Sequence, residues 1–245
     1  METELKGKIA LVTGAGRGIG KAIALALARD GGDIAINDID SADAEEPAEE
    51  IRALGRKSMV ALANVVEEAE VREMMDRVVR QWGGIDILVN NAGIASLILV
   101  EDMDKAEWDR VVDVNLGGTF NCSRFAIPIM KKRGGEEILS IINIASFAGK
   151  RMSMLSAANY SASKAGVLGL TRHLSGEFNY PVAGKSHNPR AQGKPKAAIS
   201  FWGAAYAGRC GGCGCLFGLP KGQDDHGDQH RCGRRHHSGS RACGV

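Results

Sequence analysis

Lys8-Ile9-Ala10-Leu11-Val12-Thr13-Gly14-Ala15-Gly16-Arg17-Gly18-Ile19-Gly20 is the stretch from which the fold is read. Its first six residues form a short apolar run stopped by Gly14, the pattern of a buried strand. Ile19 to Arg29 follows with Ile19, Ala22, Ile23, Ala26 and Leu27 at helical spacing, so a helix is expected there. Glycines between a strand and a helix allow a tight turn. They also let backbone N–H groups approach a pyrophosphate at the helix N-terminus.

The text continues in the same alternation. Asp33 to Asn37, Ser58 to Ala63, Ile85 to Val89 and Ile138 to Ala145 read as further strands. Asp43 to Leu54, Glu68 to Trp82, Lys105 to Lys132 and Asn159 to Phe178 read as helices, with Gly117 and Gly118 weakening the long one. Strands apolar on both faces and separated by helices imply a parallel sheet covered on both sides. With right-handed crossovers, the expected class is α/β with a doubly wound, Rossmann-like sheet.

Asp38 stands just beyond the second strand, 18 residues after Gly20. A carboxylate there can accept both ribose hydroxyls and repels a 2′-phosphate, which favours NAD over NADP. Arg17 pulls the other way, because a guanidinium can pair with that phosphate, so NADP stays open.

The glycine spacing T-G-x-x-x-G-x-G resembles that of the short-chain dehydrogenase/reductase family. Further motifs of the family follow in order: Asn90-Asn91-Ala92-Gly93 after the fourth strand, Asn115 within Val114-Asn115-Leu116, Ser146 at the end of the fifth strand, and Tyr160-Ser161-Ala162-Ser163-Lys164. The resemblance covers residues 6 to about 178. It implies cofactor contacts from Gly14, Arg17, Gly18, Ile19, Gly20, Asp38, Asn64, Val65, Asn91, Ala92, Gly93, Tyr160 and Lys164. It implies a catalytic set of Asn115, Ser146, Tyr160 and Lys164, with no metal. In those roles Tyr160 exchanges the proton, Ser146 orients the carbonyl or alcohol, Lys164 also holds the nicotinamide ribose, and Asn115 keeps a relay water beside Lys164. The substrate implied is a small alcohol or ketone, and the assembly a homo-oligomer, a tetramer by resemblance. Two departures stand out: Asn64 replaces an Asp at the third strand's end, and Ser146 and Tyr160 lie 14 residues apart, the long end of the family's range.

The chemistry is also readable from the residues. Tyr160 and Lys164 are four apart on an expected helix and so share a face. A phenol with pKa ~10 becomes a usable base near neutrality only when an adjacent cation favours its phenolate.

Composition divides the chain. Its 245 residues are 44% hydrophobic and 24% charged, which excludes wholesale disorder, and its net charge of +2 excludes a strong field for nucleic acid or membrane. That +2 is −5 over residues 1–180 and +7 over residues 181–245. The later part holds 13 of 32 glycines, five of six cysteines and five of six histidines. Its branched aliphatics are only Val182, Ile199, Leu216, Leu219 and Val245, too few to bury a useful face. The chain therefore reads as a Rossmann-like domain over 1–180 and an atypical Gly/Cys/His-rich tail over 181–245. The Met-Glu-Thr-Glu start lacks the basic and apolar regions of a signal peptide, and no apolar run is long enough for a membrane span. A cytoplasmic location is expected.

Cys210, Cys213, Cys215, His226, His230 and Cys232 resemble zinc ligands superficially, but their gaps match no familiar finger. A nucleic-acid arm is disfavoured too, since aromatic interleaving is weak. The genetic code supplies a better reading. Codons allowed for Ala183 to Ala191, read one base later, permit RVNPITPG; those for Leu216 to His236 permit FLASPKARTITGTNIDVDGG. Both resemble the family's C-terminal motifs, its sixth strand with a Pro-Gly turn and its closing Val-Asp-Gly-Gly strand, in the right order. A change of reading frame near Phe178–Tyr180 is inferred. The expectation is that strands six and seven are missing or malformed, with weak or no activity and a bare fifth-strand edge, an aggregation hazard.

Overall fold

The computed structural model describes residues 5–133, 139–179 and 197–204. Six strands form one all-parallel sheet in the order β3-β2-β1-β4-β5-β6. They are β1 (Ile9–Thr13), β2 (Asp33–Asn37), β3 (Ser58–Val60), β4 (Ile87–Asn90), β5 (Leu139–Ser146) and β6 (Ala197–Ala204). The helices are α1 (Gly18–Arg29), α2 (Ser41–Ala53), α3 (Glu68–Trp82), α4 (Lys105–Val112), α5 (Gly118–Arg133) and α6 (Ala158–Asn179).

Period-two alternation sends β1 side chains to two separate cores. Ile9 and Leu11 join Val71, Met74, Met75 and Val78 of α3 and Cys122, Ala126 and Met130 of α5. Ala10 and Val12 join Ala24, Leu27 and Ala28 of α1 and Ala44, Ala48 and Ile51 of α2. A sheet apolar on both faces requires helices on both, so the doubly wound arrangement follows from the strand composition. Strand order reverses between β1 and β4, and a crevice at that switch, outside the strands' C-terminal ends, is where such folds bind ligands.

Two helices differ from the sequence reading. Ile19 is 48% exposed and Ala22 is also exposed, while α1 buries Gly20, Ala24, Leu25, Leu27 and Ala28. Close contact at Gly20 explains the rotation: a Cβ there would lie 2.2 Å from the Gly14 carbonyl oxygen, so glycine must face inward at the start of the helix. The expected helix over Lys105 to Lys132 is divided by a π-type turn at Asp113–Gly117. Such turns mark functional positions more often than ordinary helix does. This one carries Asn115, which is fully buried.

At the sixth position the structure amends the expected bare edge. β6 runs beside all eight residues of β5, from Leu139 opposite Ala197 to Ser146 opposite Ala204. This stretch, Ala-Ala-Ile-Ser-Phe-Trp-Gly-Ala, has the tail's best strand composition, with Ile199, Phe201 and Trp202. It is not the 183–191 stretch to which the shifted reading assigns the family's sixth strand. Residues 183–191 and the closing-strand reading at 216–236 lie outside the described residues, as do the cysteines and histidines of the tail. Among the described residues the sheet has no seventh strand. No described helix is long and apolar enough to cross a membrane, and no described residues group as metal ligands.

Candidate active site

The glycine loop is stitched to the turn that follows β4. Thr13 Oγ1 accepts from the N–H groups of Asn91 (3.0 Å) and Ala92 (3.1 Å). Asn91 Nδ2 donates to the carbonyls of Thr13 (2.9 Å) and Gly14 (2.8 Å). Gly14 adopts φ +58°, and a Cβ there would lie 2.8 Å from the Ala92 Cα. Gly18, at φ +59°, begins α1. Both conformations are ones that side-chain-bearing residues rarely adopt. The arrangement leaves backbone N–H groups at the N-terminus of a twelve-residue helix, a setting for phosphate.

Asp38 closes the far side of this loop. Its Oδ2 accepts from Gly16 N–H (3.0 Å), and its Oδ1 from the N–H groups of Ile39 (2.8 Å) and Asp40 (3.4 Å). A Cβ on Gly16 would come within 2.8 Å of the Asp38 carboxylate, so only glycine lets the loop sit this close. Arg17 is exposed and pairs with Asp43 at 3.6 Å. Asn64 Oδ1 accepts from Val66 N–H (3.1 Å), which fixes the turn after β3. Val65 is buried: its side chain lies where a Cβ on Gly118 would stand, and Asn121 Nδ2 donates to its carbonyl (3.1 Å). A glycine loop on a helix N-terminus, with a carboxylate at the end of β2, fits the adenosine and pyrophosphate of a dinucleotide.

Tyr160, Lys164, Asn115 and Gly93 are linked near the C-terminal ends of β4 and β5, and Ser146 is the last residue of β5. Lys164 is only 5% exposed; its Nζ donates to the Ile144 carbonyl (2.8 Å) and lies 5.8 Å from the Tyr160 ring centroid. Burial pushes the Lys164 ammonium down to about 8. A Cβ on Gly93 would stand 3.1 Å from Asn115 Oδ1 and 3.4 Å from Lys164 Nζ, which places the turn between them. Asn115 Oδ1 accepts from Ile94 N–H (2.8 Å), while its Nδ2 donates to the Ile94 carbonyl (3.0 Å) and Ser163 Oγ (3.0 Å). The Asn115 carbonyl accepts from the Thr119 hydroxyl (2.7 Å). Ser146 Oγ accepts from Ala148 N–H (3.2 Å), leaving its own proton to donate.

Sequence reasoning named Asn90 only as part of a motif and missed the residues that brace this centre with it. Asn90 Nδ2 donates to Ser123 Oγ (3.0 Å) and Asn143 Oδ1 (2.7 Å), and Asn143 Nδ2 to Thr171 Oγ1 (2.9 Å). This buried chain ties β4 to α5, β5 and α6. An asparagine ending β4 and another in the middle of β5 were the available signal. Ser96, Glu107 and Asn159 also went unnoticed; they form a second set of ties.

The fold and the glycine loop together define an α/β protein of the dinucleotide-binding class. The family model for short chain dehydrogenases matches residues 8–182. A 3-oxoacyl-(acyl-carrier-protein) reductase, FabG, of Staphylococcus epidermidis is 48% identical over 173 residues, covering 70% of this chain and 69% of that protein. FabG of Thermotoga maritima is 39% identical over 175 residues, covering 71% and 69%. Among solved structures, a short-chain type dehydrogenase/reductase from Mycobacterium marinum gives a TM-score of 0.69 at 35% identity, covering 72% of this chain and 71% of that one. One from Burkholderia phymatum in complex with NAD gives 0.71 at 28% identity, covering 83% and 66%. The chain belongs to the short-chain dehydrogenase/reductase family, whose members are NAD(P)-dependent oxidoreductases.

Proposed function

We propose that the chain interconverts a secondary alcohol and a ketone with NAD as cofactor. Tyr160 exchanges the proton, Ser146 orients the substrate oxygen, Lys164 supports both phenolate and ribose, and Asn115 holds a relay water. The observation that carries this reading is a buried ammonium, Lys164 Nζ, 5.8 Å from the ring of Tyr160 at the end of β5. Gly14, Gly18, Gly20 and Asp38 would hold the dinucleotide, with Ile19, Asn64, Val65, Asn91, Ala92 and Gly93 along its length and Arg17 at the rim.

The nicotinamide, when bound, supplies or accepts the hydride. In the reducing direction the Tyr160 phenol gives its proton to the carbonyl oxygen while the Ser146 hydroxyl donates a hydrogen bond to it. The phenolate left behind carries a negative charge, and the Lys164 ammonium lowers the cost of forming it. One of the ammonium's three N–H groups is fixed on Ile144, so two remain for the ribose and a water.

A 3-oxoacyl group, the substrate named for the Staphylococcus and Thermotoga relatives, is a ketone of this class. Two loops support an apolar substituent on it. Leu97, Leu99 and Val100 after β4, and Met152, Met154 and Leu155 after β5, are all exposed. A hydrogen bond from Ala157 N–H to the Ser96 carbonyl (2.9 Å) joins those loops beside Tyr160. The protein is proposed to work as a cytoplasmic homo-oligomer.

A second reading is a nucleotide-binding remnant with impaired catalysis, favoured by the end of the family match at residue 182. Titrating the protein with NADH and then adding methyl ketones of increasing length separates the two. Saturable binding with turnover supports the enzyme; binding without turnover supports the remnant. The same titration tests Asp38. Replacing it with Asn removes the carboxylate that disfavours a 2′-phosphate, while the exposed Arg17 stays available to meet one. The preference for NADH over NADPH is expected to fall on the order of tenfold or more, about 1.4 kcal/mol. An unchanged ratio of dissociation constants removes Asp38 from cofactor selection.

A further inference from the structure

We propose that Asn159, with Ser96 and the backbone of Glu107, is a positioning clamp that sets where Tyr160 stands. This rests on the role given to Tyr160 above. α6 begins at Ala158, so Tyr160 lies in its first turn, where N–H groups have no partner within the helix. Asn159 supplies one: its Oδ1 accepts from Tyr160 N–H at 2.8 Å. The other end of the same amide reaches out of the helix, Nδ2 donating to the Glu107 carbonyl of α4 at 3.2 Å. Asn159 is 0% exposed, so neither bond competes with water.

The residue before the helix is held as well. Ala157 N–H donates to the carbonyl of Ser96 at 2.9 Å, and Ser96 is 6% exposed. Glu107 is fixed in its turn. Its N–H caps onto Asp104 Oδ1 (2.7 Å), and its carboxylate accepts two bonds from Arg110 (2.8 and 3.0 Å). The Arg110 and Ser96 side chains hold that carboxyl below its usual range. On its carbonyl side, Tyr160 accepts from Ser163 Oγ (2.7 Å), which in turn accepts from Asn115 Nδ2 (3.0 Å). Both backbone polar groups of Tyr160 are therefore held by side chains anchored on the crossover between β4 and α5. The helix carrying Tyr160 belongs to the next crossover. The clamp is what registers Tyr160 against Gly93 and Asn115, which lie on the β4 side of the seam.

A misplacement near 1 Å can cost on the order of a hundredfold in rate without altering binding. Two substitutions separate positioning from mere stability. Asn159→Ala removes both bonds. Asn159→Asp keeps the acceptor for Tyr160 N–H but loses the donor to Glu107 and sets a buried carboxylate oxygen against that carbonyl, so it breaks the tie to α4 without emptying the site. For both variants kcat is expected to fall about tenfold or more, while KM for the ketone and the NADH dissociation constant stay within about twofold. Wild-type kcat in Asn159→Asp overturns the clamp. Hydrogen exchange gives a readout that needs no turnover. Amides 157–161 are expected to exchange about tenfold faster in Asn159→Ala, which removes both bonds, with those of α1 and α3 unchanged. Unchanged exchange at 157–161, or a uniform rise across the sheet, also overturns it. Absence of turnover in the unsubstituted protein counts against the proposed activity alone, since the exchange arm still decides the clamp.

Discussion

Tyr160→Phe is expected to cut turnover about a thousandfold or more in any form of the chain that reduces a ketone, with NADH binding kept within about twofold. The substitution removes one oxygen and its proton and leaves the ring. Lys164 would still donate to Ile144, and the glycine loop is remote from the change. Only the group that hands over the proton is lost, and general acid–base catalysis by a placed side chain contributes on the order of a hundredfold to ten-thousandfold. Removing Lys164 instead would mix two effects, because it also supports the ribose in the proposed scheme. The phenylalanine variant isolates the proton transfer. Turnover within about tenfold of the parent would refute the role of Tyr160.

The second large effect concerns the C-terminal residues. Deleting one base near codons 178–180 shifts everything downstream into the frame that permits RVNPITPG and FLASPKARTITGTNIDVDGG. We propose that 1–180 is the catalytic and nucleotide-binding domain and that 181–245 is its displaced ending. In the family the sixth strand and its Pro-Gly turn flank the nicotinamide, the next segment covers the substrate, and the closing strand shelters the sheet edge. Restoring the frame is therefore expected to raise kcat/KM on the order of a hundredfold or more, the scale of a misplaced site. The melting temperature should rise by several degrees, as about 1 kcal/mol is worth a few degrees in a chain this size. Resequencing the gene checks the premise. A restored chain no more active and no more stable than the chain as written contradicts it.

How much of this was legible depended on which physical signal each element left behind. β1, β2 and α3 declared themselves because a fully buried strand is a run of apolar residues and an amphipathic helix repeats at 3.6. The bounds of β2 (Asp33–Asn37) and α3 (Glu68–Trp82) match the sequence reading. α1 was found but turned the wrong way: periodicity weighs size and apolarity, whereas close approach at Gly20 selects for smallness. The break at Asp113–Gly117 had a trace in Gly117 and Gly118. A Cβ on Gly118 would stand 2.5 Å from Val65 Cγ2, a contact made between residues distant in sequence. β6 was hidden by the composition of its surroundings, since a tail poor in branched aliphatics masks one strand-forming window.

The site shows the same division. Motifs with fixed spacing named Ser146, Tyr160, Lys164, Asn115 and the glycines; in the structure Tyr160, Lys164, Asn115 and Gly93 are neighbours, and Ser146 ends β5. Asn159 carries no spacing signature; its meaning comes from Glu107, 52 positions away. Long-range hydrogen bonds between polar side chains and backbone leave little periodic imprint, so the bracing of the centre is visible only in three dimensions.

The central claim is that this chain carries the hydride-transfer chemistry of its family on Ser146, Tyr160 and Lys164. The most direct measurement supplies NADH deuterated at the nicotinamide C4 with a methyl ketone and analyses the alcohol by mass spectrometry. The same measurement is run on the frame-restored chain and its Tyr160→Phe variant. The expected result is one deuterium on the carbinol carbon, strongest with the frame-restored chain and absent with the phenylalanine variant. Bound NADH with no deuterium transferred by either the chain as written or its restored form would contradict the account.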